Sequence, residues 1–142
     1  MSYEHYSRVW SSVWLEPWTD DMRTVAFYLI TGPHRRSEGL YRLPLEYIVT
    51  DLSWPSKRVR TAFDALLACG FADYDPERQL VLIINALKRN KLNPNQCKGV
   101  AKAFRELPLS PLLERFISLA QTSNKDLSKE LAKDWPRVGK GP

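Results

Sequence analysis

The chain has few of the residues that build the commoner kinds of catalytic or metal site. Its two cysteines, Cys69 and Cys97, lie in no CxxC pattern, which argues against a zinc site or a disulfide framework and predicts two reduced, packed thiols. Its two histidines, His5 and His34, have no nucleophile or paired carboxylate near them in sequence. There is no phosphate loop ending in Lys-Ser/Thr, no GxSxG elbow and no HExxH pair. A protein without catalytic residues, bound metal or cofactor is therefore expected. Long apolar runs are missing too: the longest, Leu80 to Ile84, falls far short of the ~20 residues that a membrane span requires. The N-terminus lacks a basic-then-apolar signal, so the expected compartment is cytoplasmic and no membrane partner is expected.

What the chain does have is enough apolar material for one core. With 142 residues, 44% of them hydrophobic and 26% charged, it has the composition of a single globular domain with extensions. Its formal charge of +5 is not spread evenly. Residues 1–18 and 19–52 each carry −1, 53–84 are neutral, 85–109 carry +5 and 110–142 carry +2. The excess comes from Lys88, Arg89, Lys91, Lys98, Lys102 and Arg105 against Glu106 alone. If residues 94–107 are helical, Lys98, Lys102 and Arg105 form a basic ridge beside an apolar stripe of Cys97, Val100, Ala101 and Phe104. Such a ridge is either a solvated face or a surface for an anionic partner.

Residues 1–18 form an aromatic arm with Tyr3, Tyr6, Trp10, Trp14 and Trp18, expected to pack on the domain. Thr19 followed by Asp20 and Asp21 starts a helix, which Gly32 and Pro33 end. Gly39 to Arg42 read as a short strand. Pro44 opens a second helix with Leu45, Ile48, Val49 and Leu52 at core spacing. After a break at Asp51 to Pro55, a third helix runs from about Ser56 to Cys69 on Val59, Ala62, Phe63, Leu66 and Leu67, with Gly70 as its stop. Trp54, before a proline, should sit outside this helix and pack on Val59 as a hydrophobic staple. Phe71–Tyr74 and Gln79–Ile84 form a hairpin around residues 75–78, and the all-apolar Leu80–Ile84 reads as the inner strand. A helical turn at 85–91 follows, then the basic helix after Asn93-Pro94, then a helix capped by Ser110-Pro111. The polar tail, 123–142, carries a short, weakly docked helix and a frayed end.

Helix, strand, helix, tight turn, helix, hairpin is the order of a winged helix-turn-helix. The expected fold is mainly α with a small antiparallel β-sheet: a winged helix-turn-helix over 19–92, with extra C-terminal helices at 93–122. Ser53 stands where the turn often holds glycine. On the helix after the turn, Lys57, Arg58, Arg60 and Thr61 are the candidate recognition residues, with arginine long enough to reach a guanine edge. Candidate phosphate contacts are Arg78 on the wing and Lys88, Arg89, Lys91, Lys98, Lys102 and Arg105. Asp73, Asp75 and Glu77 make the wing acidic and limit its use to Arg78. The expected partner is double-stranded DNA, bound as a monomer or a homodimer. A second reading is a protein-interaction module in which Leu127, Leu131 and Trp135 dock a partner.

Ser7-Arg8-Val9-Trp10, Phe27-Tyr28-Leu29-Ile30-Thr31, Gly39-Leu40-Tyr41-Arg42-Leu43-Pro44, Gly70-Phe71-Ala72-Asp73-Tyr74-Asp75 and Ile84-Asn85-Ala86-Leu87-Lys88 carry a family likeness. Across roughly residues 7 to 117 the chain resembles the N-terminal domain of phage replisome-organiser, or replication-initiation, proteins. The resemblance implies binding to duplex DNA at a phage or prophage origin and recruitment of host helicase-loading proteins. A prophage transcription regulator would use the same DNA-binding residues.

Overall fold

The structure is a computed structural model and describes Val13 and residues 16–134. Tyr3, Tyr6, Trp10, Trp14 and Trp135, on which parts of the arm and tail readings rest, lie outside the described residues. Helix α1 (Asp20–Thr31) starts where expected: the Thr19 hydroxyl accepts from the Met22 N–H, and Asp20 and Asp21 stand in the first turn. Strand β1 (Leu40–Arg42) leads through Leu43 and Pro44 into α2 (Leu45–Leu52). Of the four α2 core positions, Ile48 is fully buried; Leu45, Val49 and Leu52 are partly buried against the same cluster.

The turn after α2 depends on Ser53, which takes the left-handed conformation at φ 55°. Its N–H donates to Thr50 O and that of Trp54 to Val49 O, closing the helix end. A left-handed non-glycine residue carries about 1–2 kcal/mol of strain. Glycine removes that strain and returns about 0.5–1 kcal/mol through unfolded-state entropy. Ser53→Gly is therefore expected to stabilise the protein by about 0.5–1 kcal/mol in a urea titration; a loss of stability would count against this turn geometry.

Helix α3 (Ser56–Ala68) ends in a Schellman motif: Gly70 at φ +83° donates to Leu67 O and Phe71 donates to Leu66 O. Strands β2 (Ala72–Asp75) and β3 (Leu80–Ile83) form the hairpin, and β1 completes a three-stranded antiparallel sheet in the order β1-β3-β2. The inner strand is thus β3, as its apolar run predicts. The run also has a second cause. Val81 and Ile83 join Tyr41, Val25, Phe63 and Leu66 in one core, whereas Leu80 and Leu82 join Leu40, Phe104, Leu113 and Phe116 in another. Alternate side chains point to opposite faces of a strand, so β3 is covered on both sides and has no position to spare for a polar residue.

The second layer consists of a single-turn α4 (Ala86–Arg89), then α5 (Pro94–Glu106), α6 (Pro111–Ser123) and α7 (Lys125–Ala132). Asn93 and Gln96 make a full capping box at the start of α5. Phe104 stacks on Phe116 with centroids 5.9 Å apart.

The tail departs from the expected loose docking. Helix α7 is a wall of the second core, and Leu127 and Leu131, read as partner-docking residues, are both 0% exposed within it. Two leucines four residues apart suffice because α5 and α6 already form the groove that receives them, and the outer face can stay polar. Asn124 secures the entry: its Oδ1 accepts from the Leu127 N–H at 3.1 Å and its Nδ2 donates to Leu92 O at 3.3 Å. Arg105 reaches Asp134 at 3.2 Å on the far side. No helix among the described residues is long and apolar enough to cross a membrane.

Candidate nucleic-acid interface

All four candidate recognition residues are exposed, three of them on an open face and one tied to a neighbouring helix. Lys57, Arg60 and Thr61 are exposed on the first half of α3, where the buried positions are Val59, Ala62 and Phe63. Arg58 is exposed too, but its guanidinium donates twice to Asp21 of α1, at 2.9 and 3.0 Å, and lies 3.8 Å from the centre of the Trp54 ring. The hydrogen bond from Arg58 holds the Asp21 carboxyl below its usual range and raises the guanidinium in turn. Arg58 therefore straps α3 to α1. Trp54 lies outside the helix and against the first core, as its place before proline predicts.

The first turn of α3 contains no acid, and no side chain caps its N-terminus. Its leading N–H groups face out along with the positive end of the helix dipole. A basic residue that the sequence reading passed over belongs to the same end of the fold. Burial pushes the Tyr74 hydroxyl up and Glu46 adds to this, while Arg60 of α3 and Arg42 of β1 act against it. Both arginines are thus within electrostatic reach of one hydroxyl, which itself donates to Leu43 O at 2.8 Å. Arg42 also donates to Gln79 at 3.3 Å, beside the wing turn. The signal that would have found it is the β1–β3 register, Arg42 opposite Leu80, which a single sequence does not display.

The wing acids have structural partners. Asp73 takes a 2.6 Å hydrogen bond from Arg115 of α6. Asp75 accepts from Ser110 Oγ at 2.6 Å and from the backbone N–H groups of Glu77 and Arg78. Burial by itself would raise the Asp75 carboxyl, but these hydrogen bonds outweigh it and hold the group below its usual range. A depressed carboxylate contributes stability that is fully present above its unfolded pKa, ~3.9, and is lost as pH falls through the lower folded value. Asp75→Asn should remove this contribution, so that below pH ~4 its unfolding curve loses less stability per pH unit than the parent's. Parallel curves would show that Asp75 is not a significant acid-sensitive group. Arg78 pairs with Glu77 at 2.6 Å.

The remaining basic residues form two groups elsewhere. Lys98, Lys102 and Arg105 are exposed along α5, the ridge that the spacing predicts. However, α5 belongs to the core on the opposite face of the sheet from α3, so the ridge and the candidate residues of α3 do not form one surface. Lys57 to Thr61 also lie at the far end of α3, a helix ~20 Å long, from the end that approaches the start of α5. Arg89 and Lys91 line a cavity of about 490 Å³ together with Cys69 and Gly70 at that near end. Lys88 is exposed on α4. Cys97 is buried as expected, and burial pushes its thiol up. Cys69 departs from expectation: it is exposed at the helix end, its Sγ turned back to Leu66 O at 3.4 Å. Comparison of the chain with protein-family models, with curated proteins and with solved structures finds no match.

Proposed function

We propose that the protein is a non-enzymatic, sequence-preferring double-stranded DNA-binding protein. Helix α3 enters the major groove through Lys57, Arg60 and Thr61, and Arg42 and Arg78 hold flanking phosphates. The observation that carries this reading is the uncapped first half of α3, which has no acid of its own and exposes Lys57, Arg60 and Thr61, a surface suited to phosphate and base edges. The resemblance to phage replisome organisers supports a role at a phage or prophage replication origin, with helicase-loading proteins as further partners. Mapping the bound site, origin or promoter, separates this role from transcriptional regulation. The protein-interaction alternative is left without two of its three docking residues, since Leu127 and Leu131 are core.

Selection of bound fragments from a random duplex pool should return a preferred site. If about four phosphates are engaged, log K for that site should fall with log salt at a slope of about −3 to −4. Arg60→Ala should weaken the preferred site by about 1–3 kcal/mol and relax base preference. Lys102→Ala, on the opposite layer, should leave affinity for a short straight duplex unchanged. Binding that ignores salt would sink the proposal, and equal effects at Arg60 and Lys102 would move the interface to α5.

A further inference from the structure

Helix α3 carries a single acid, Asp64, and it stands on the open face. Lys57, Arg60, Thr61 and Asp64 fall at i, i+3, i+4 and i+7, all exposed, while Val59, Ala62, Phe63 and Leu66 are buried on the other side. That is the spacing with which a groove-reading helix aims successive side chains at base edges. Four acids of α1 and the wing are already engaged: Asp21 by Arg58, Asp73 by Arg115, Asp75 by Ser110 and Glu77 by Arg78. Asp64 has no hydrogen bond or ion pair among the described residues. Arg60 precedes it by one turn, a separation at which helix side chains can pair, yet the two form no ion pair. Ala68, one turn further along the same face, is too small to screen it.

A carboxylate facing a duplex is repelled by the phosphates and offers acceptor lone pairs alone. It is favourable there only against a hydrogen-bond donor. In the major groove guanine presents acceptors, thymine an acceptor and a methyl group, and adenine a donor beside its N7 acceptor. Cytosine presents its N4 amino group with no acceptor of its own beside it. We propose, resting on the reading of α3 as the groove helix, that Asp64 is a specificity-determining residue that accepts a hydrogen bond from the N4 amino group of a cytosine. Residues four apart on a helix are separated by about 6 Å along its axis, or about two base-pair steps. The cytosine therefore lies within about two base pairs of the base that Arg60 reads. The same charge disfavours registers in which α3 meets a phosphate, so Asp64 lowers affinity for unrelated duplexes while it raises the preference for its own site.

Selection from a random duplex pool, run on the full chain and on Arg60→Ala, Asp64→Ala and Asp64→Asn, tests this. Arg60→Ala should relax one position of the parent's site, and Asp64→Ala a second, a cytosine within about two base pairs of the first. Replacing that C·G pair should weaken the parent about tenfold and leave Asp64→Ala unchanged. Asp64→Ala should also bind a duplex of unrelated sequence more tightly than the parent does. Asp64→Asn should change the preferred base from cytosine to adenine, because the amide supplies an acceptor for N6 and a donor for N7. A residue that served only the fold would produce no such switch. Both Asp64 substitutions lie on the exposed face and should leave the urea midpoint unchanged. If both return the parent's site while Arg60→Ala relaxes its own position, Asp64 reads no base and the proposal falls, with the reading of α3 intact. Uniform weakening of all duplexes by Asp64→Ala would overturn it as well. A parent that returns no preferred site would overturn the reading of α3 and this proposal together.

Discussion

Leu131→Ala is expected to lower the unfolding free energy by about 3 kcal/mol, the usual cost of emptying a buried leucine site. The side chain is 0% exposed and packs in the second core with Leu127, Phe104 and Leu113. A domain of this size has roughly 5–15 kcal/mol in total, so the loss should be plain in a urea titration as a lower midpoint with a similar slope. Lys129→Ala, on the exposed side of the same helix, should change stability by no more than about 0.5 kcal/mol. If the two variants behave alike, α7 is not the wall of the core described above. The same packing makes removal of residues 123–142 a structural change, because it takes out both leucines at once.

Gly39→Ala should be as damaging, for a different reason. Gly39 has φ +81°, and a Cβ there would come within 2.4 Å of Ala86 Cβ and 3.0 Å of Ile83 O. Retreat is blocked, because Gly39 O accepts from the Ile83 N–H at 2.8 Å and its own N–H donates to Arg36 O at 2.9 Å. Left-handed strain of about 1–2 kcal/mol and overpacking of about 1–3 kcal/mol together give a loss of about 3 kcal/mol or more. Gly70 is the internal control: its φ is +83°, yet nothing lies within 4 Å of a Cβ built there. Gly70→Ala should therefore show the backbone strain alone, about 1–2 kcal/mol. Equal losses at the two positions would mean that the close approach to Ala86 contributes nothing.

The winged-helix body was legible because its signals are local. Thr19 before two aspartates, Gly70 after an apolar-periodic helix and an unbroken apolar run at Leu80 each act through the backbone of their own neighbourhood. Non-local pairing was not legible. Nothing in the string Leu127-Ser128-Lys129-Glu130-Leu131 distinguishes a docked wall from a loose tail; that depends on the groove between α5 and α6 and on the Asn124 bridge. The candidate interface divides along the same line. Exposure of Lys57, Arg60 and Thr61 follows from helical spacing, whereas the Arg58–Asp21 strap, the approach of Arg42 to the wing and the placing of α5 across the sheet all depend on contacts between distant segments.

The two ties from the wing to α6, Arg115 to Asp73 and Ser110 to Asp75, bear on the entropy of recognition. A wing that swings freely in the unbound protein must be immobilised on the duplex, at a cost of about 0.5–1.5 kcal/mol for each rotamer-rich side chain that is frozen. Here the hairpin is moored to the second helical layer in the protein by itself. In the proposed duplex complex it would come to the phosphates already set, so that adjustment of fit would fall mainly to the DNA. Sequences whose backbone bends readily toward a fixed wing would then be favoured at base pairs that the protein does not touch.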